Sequence, residues 1–117
     1  MKENSVLEKS FAFALRIIKL NRYLIEEKKE FVLSKELLVS GTHIGKHIKE
    51  AISAESKTVF TNEMGIARRV ASETEYWLQL LLQADYINEK AFNSIETDRL
   101  EIFKMLTSIV KTSKENE

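Results

Sequence analysis

The chain has 117 residues, no cysteine, no proline and three glycines, and its 18 basic residues balance 18 acidic ones. That length suits one domain whose core forms without staples, and the missing cysteines exclude disulfides and thiolate metal sites. Zero net charge speaks against a dedicated nucleic-acid binder, which carries a basic excess, and no run approaches the roughly 18 apolar residues of a membrane-spanning helix.

The first predicted helix covers 5–27. Ser5-Val6-Leu7-Glu8 has capping-box spacing, in which serine and glutamate satisfy each other's free N–H groups. Residues 11–20 are the most apolar N-terminal stretch, but Arg16 splits them and Glu3 and Glu8 precede them. They therefore read as helix rather than as a secretory signal, and the expected compartment is the cytoplasm. At 100° per residue, Leu7, Phe11, Ala14, Leu15, Ile18 and Ile25 form one stripe. Val6, Phe13, Ile17, Leu20 and Leu24 form a second stripe, so this helix is expected to be buried on two sides.

A charged turn leads into a second predicted helix over 31–54, with Leu37, Gly41, Ile44, Ile48 and Ile52 as its core stripe. The third, over 57–86, lines one face with Phe60, Met64, Ala67, Ala71, Leu78 and Leu82, and another with Ile66, Val70, Trp77 and Ala84. Asn88 is a good N-cap for the fourth, over 89–112, and Glu89 favours its dipole. Phe92, Ile95, Leu100, Phe103, Leu106 and Val110 supply its stripe, and residues 112–117 are expected to fray. Short connections imply a single all-α domain, an antiparallel up-down-up-down four-helix bundle.

The doubly apolar first and third helices are the main functional signal. Apolar area beyond one core stripe usually meets a partner in a soluble protein, and self-association is the expectation; the alternative is a thicker core with these two helices at its centre. Phe13, Ile17, Leu20, Ile66 and Trp77 are the candidate subunit-interface residues, with Trp77 as anchor.

His43, His47 and Glu50 share one face of the second helix, a spacing that can present two imidazoles and a carboxylate to a metal ion. Against this, no ligand set on another helix is evident, and two histidines are too few for a four-helix di-metal site. A polar seam, with Glu50 paired to Arg69, is the expected arrangement, and no metal or other cofactor is assigned. Gly41 and Gly45 predict close approach of two helices. Lys46, Lys49, Arg68 and Arg69 are candidate phosphate contacts if the second and third helices bring them together. Ser72 and Glu73 have no histidine base on their own helix, and no catalytic constellation emerges.

The segment Ser40-Gly41-Thr42-His43-Ile44-Gly45-Lys46-His47-Ile48-Lys49-Glu50-Ala51 resembles a run in the bacterial proteins named from intervening sequences of 23S rRNA genes. There the common pattern is Ser-Gly-Thr-Ser-Ile-Gly-Ala-Asn-Ile, a variable residue, then Glu-Ala. Glu73-Thr74-Glu75-Tyr76-Trp77-Leu78 is similar to that family's Glu-Thr-x-Tyr-Trp-Leu. His43, Lys46 and His47 depart from the pattern, replacing its Ser, Ala and Asn, and Val70 stands where glutamate is frequent. The resemblance implies a four-helix bundle that closes into rings, typically of five subunits, with no assigned enzymatic role. A related branch, the accessory proteins of diversity-generating retroelements, engages a reverse transcriptase and RNA, which makes an RNA-binding accessory the alternative expectation.

Overall fold

The computed structural model describes residues 2–116, with side chains from Ser5 onward. The described residues form four α-helices and no strand: α1 Lys2–Glu26, α2 Leu33–Ile52, α3 Lys57–Gln83 and α4 Glu89–Glu115. Each helix packs on its neighbours in sequence, and α4 also returns to α1. Partners across each seam run in opposite directions. Gly41 meets Ile17 while Gly45 meets Ser10, and Thr74 meets Ser40 while Glu63 meets His47. Arg99 reaches Ala71, whereas Ser113 reaches Thr61. The result is a rod of 47 × 21 × 20 Å with one core along its axis.

Local chemistry explains where the helix ends differ from those expected. Ser5 lies inside α1, which already starts at Lys2, so the Ser5–Glu8 spacing is not the helix start. The second helix opens at Leu33, because the Glu30 carboxylate accepts the N–H groups of Val32, Leu33 and Ser34 at 3.3, 3.0 and 2.7 Å. That capping leaves Phe31 and Val32 outside, both strongly exposed. Ser56 caps α3 by accepting the Val59 N–H, and Asn88 caps α4 by accepting that of Ala91. The third helix stops at Gln83, where Asp85 takes a left-handed φ of 66° and Tyr86 N–H turns back to the Leu81 carbonyl. The fourth continues to Glu115, since Ser113 is buried against the Thr61 hydroxyl and holds residues expected to fray.

The core takes one stripe from each helix. From α1 it takes Val6, Phe13, Ile17 and Leu24, which are 0–1 % exposed. α2 gives Leu37, Ile44 and Ile48, α3 gives Met64, Ala67, Ala71, Leu78 and Leu81, and α4 gives Ile95, Ile102, Leu106 and Ile109. Each fully buried large side chain contributes roughly 1.5–3 kcal/mol. Ile52 and Leu100, expected inside, are 37 % and 38 % exposed. In place of Leu100, its neighbour Arg99 points inward.

Candidate functional site

The two α1 stripes have different fates, and Gly41 decides which one turns inward. A Cβ built there would lie 2.8 Å from Ile17 Cγ1, and one at Gly45 would lie 3.1 Å from Ser10 Oγ. The missing side chains let α1 lie directly on α2 with Phe13 and Ile17 pressed into the core. Phe13 and Ile17 therefore belong to the monomer's own interior and cannot meet another subunit, which corrects their assignment as interface residues. Leu20, Ile66 and Trp77 are half-buried, with Leu20 and Trp77 packed on the core.

The stripe turned outward is Leu7, Phe11, Ala14, Leu15 and Ile18. Phe11 is 66 % and Leu15 49 % exposed. With Thr42, Gly45, Lys46 and Lys49 of α2 these side chains line a largely apolar groove of about 800 Å³. Trp77 meets the ring of Tyr76 edge-on at 5.1 Å, and Tyr76 is exposed on the outer side of α3.

On the α2/α3 seam, His47 and Glu50 come together with a third residue that sequence reasoning missed, Glu63. His47 Nδ1 lies 3.1 Å from Glu63 Oε1 and 3.7 Å from Glu50 Oε2. His43 stands apart from this trio, edge-on to the His47 ring at a centroid distance of 6.2 Å. Glu50 pairs with Lys46 at 3.4 Å, not with Arg69, which lines another groove. The neighbouring Glu63 side chain first, then Lys46 and His47, hold the Glu50 carboxyl below the ordinary glutamate range. The signal for Glu63 was the tight turn at 53–56, which places α3 antiparallel on α2 and residue 63 opposite residue 47.

The four basic candidates do not form one patch. Lys46 and Lys49 border the α1/α2 groove. Arg68 and Arg69 border an α3/α4 groove of about 760 Å³, shared with Phe103 and Lys114. These two grooves lie on opposite sides of a bundle in which α1 packs on α2 and α4, and α3 on α2 and α4. Arg68 is further committed to its own chain: Nε donates to Thr107 Oγ1 at 2.8 Å and the guanidinium stacks over Phe103 at 4.8 Å.

Ser72 also borders the α3/α4 groove, whose lining contains no histidine. Sequence reasoning missed Arg99 as well. It is 3 % exposed, donates to both Glu96 oxygens at 2.6 and 2.7 Å and to the Ala71 carbonyl at 3.1 Å, and lies 3.6 Å from Glu75. Three hydrogen bonds and the ion pair to Glu75 tie this buried charge to both helices, and so it locks α4 on α3.

Among the described residues no helix is long and apolar enough to cross a membrane. No functionally curated protein matches the chain. It is similar to a protein of unknown function from Bacteroides thetaiotaomicron VPI-5482, assigned to the S23 ribosomal protein family. The two share 50 % sequence identity and a TM-score of 0.94, over 95 % of this chain and 99 % of that one. Residues 2–108 match the family model of the 23S rRNA-intervening sequence protein. With the four-helix architecture and the two motifs on α2 and α3, this match places the chain in the 23S rRNA-intervening sequence protein family.

Proposed function

We propose that this protein is a non-catalytic, self-assembling interaction scaffold whose subunit contacts run along the outer face of α1. The observation that carries this reading is the groove formed by Leu7, Phe11, Leu15 and Ile18 beside α2. Its two most exposed apolar side chains, Phe11 and Leu15, stand in solvent although the monomer already has a complete core. Such contiguous apolar area marks a contact surface. A second copy of the chain is the occupant, because α3, diagonal to α1 in the bundle, carries the exposed aromatic ring of Tyr76 on its outer side. Two different patches joined head to tail form a ring when the rotation between neighbours closes, and a closed ring is the assembly proposed. The subunit number, five, follows from the family resemblance.

Native mass spectrometry of untagged protein, purified at low salt without nuclease, tests this. The expected mass is five times the 13.6 kDa chain. Phe11→Glu with Leu15→Glu is expected to give monomers with an unchanged helical signal, since both side chains are exposed. A monomeric wild type, or a double variant that still assembles, overturns the reading. The alternative, an RNA-binding accessory, draws less support, because the basic side chains are divided between two sides and the net charge is zero. Nucleic-acid mass on the purified particle would favour it instead.

A further inference from the structure

The α2/α3 seam carries a donor set that neither the scaffold role nor the core requires. We propose that His47, Glu50 and Glu63 bind one divalent transition-metal ion of the zinc class, clamping α2 to α3 beside their connecting turn.

The argument starts from ligand geometry. A tetrahedral zinc ion with bonds of about 2.0–2.1 Å to nitrogen and oxygen holds its ligand atoms roughly 3.4 Å apart. His47 Nδ1 already stands 3.1 Å from Glu63 Oε1 and 3.7 Å from Glu50 Oε2, and all three ligand atoms lie within 4.8 Å of one another. Sub-ångström adjustments around the imidazole, and one small rotation of the exposed Glu50 side chain, complete the triangle.

The surroundings favour a cation there. The His47 and Glu63 side chains are 17 % and 18 % exposed, so packing of the two helices holds two of the three ligands in place. Glu50 divides its oxygens: Oε1 faces the Lys46 ammonium at 3.4 Å, while Oε2 turns inward to His47. The neighbouring lysine therefore does not fill the inner position. One imidazole and two carboxylates suit zinc and the neighbouring divalent transition metals better than calcium or magnesium, which prefer all-oxygen shells. The solvent side, where Glu50 is exposed, leaves the fourth position to water.

The test uses the untagged full-length chain, stripped with a chelator and titrated with Zn²⁺ alone, with bound metal measured by equilibrium dialysis and elemental analysis. One equivalent per chain and a raised unfolding temperature are expected. Glu50→Gln, an exposed change that leaves the fold intact, is expected to weaken binding at least tenfold, as are His47→Gln and Glu63→Gln. His43→Ala is expected to bind as the wild type does. Absence of saturable binding at one equivalent overturns the proposal, as does binding that survives Glu50→Gln and Glu63→Gln but is lost in His43→Ala.

Discussion

Glu30 is 8 % exposed, and its burial pushes the carboxyl pKa up. The N–H groups of Leu33, Ser34 and Val32 and the Ser34 hydroxyl outweigh that effect and hold it below the ordinary glutamate range. The carboxylate satisfies free donors at the start of α2 and meets the positive end of its dipole, so charge and capping act together. Because the folded-state pKa is depressed, the stabilisation is fully present above the unfolded value near pH 4 and is lost as pH falls through the folded one. Glu30→Ala is expected to lower stability by about 1 kcal/mol at pH 7, the usual scale of a lost cap. The gap between variant and wild type should narrow by pH 3; urea melts at both pH values measure it, and an equal gap would refute the capping account. Glu30, Glu63 and Arg99 share one reason for escaping sequence analysis. A charged residue reads as surface unless its partners are known; Glu63 and Arg99 find partners across a helix seam, and Glu30 finds the backbone at the start of α2. Arg99 did leave a trace: it falls between Ile95 and Ile102 at core spacing, where Leu100 was taken instead.

At the scale of the helix, the same substitution should change sign between two glycines. Alanine in place of glycine favours a helix interior by roughly 0.5–1 kcal/mol. At Gly65 a Cβ would meet nothing within 4 Å, so Gly65→Ala is expected to stabilise by about that amount. At Gly41 it would stand 2.8 and 2.9 Å from the two γ-carbons of Ile17. That side chain is β-branched, fully buried and stiff at χ1 in a helix, so α1 must move instead. Overpacking of this kind costs about 1–3 kcal/mol and outweighs the propensity gain. Thermal melts of the two variants decide the matter, and a Gly41→Ala protein as stable as Gly65→Ala would show that the α1/α2 contact is soft. The helices themselves were legible from spacing alone, since α2 and α4 each carry one apolar stripe and α1 and α3 carry two at helical spacing. The orientation of α1 was not. Its two stripes are equally apolar, and the choice between them rests on the glycines of the facing helix, which periodicity within α1 cannot register.

At the scale of the molecule, the four helices stand in a square with α1 and α3 on one diagonal, each touching α2 and α4. Their outer faces therefore point in opposite directions, and both carry exposed aromatic side chains, Phe11 on one and Tyr76 on the other. A symmetric dimer would join one patch to its own copy, whereas a ring joins each subunit's α1 face to its neighbour's α3 face. Mixing two crippled subunits separates these arrangements. Phe11→Glu spoils only the first face and Tyr76→Glu only the second. Both side chains are exposed, so each variant should keep wild-type stability within about 0.5 kcal/mol. Each alone should be monomeric. Together they retain one intact pair of faces, the α3 face of the Phe11 variant and the α1 face of the Tyr76 variant. The mixture should form a one-to-one heterodimer and stop there, since the two faces left at its ends are the spoiled ones. Native mass spectrometry would show a single species of twice the chain mass. If the α1 patch pairs with its own copy instead, the Phe11 variant should lose assembly while the Tyr76 variant keeps it, and mixing should restore nothing.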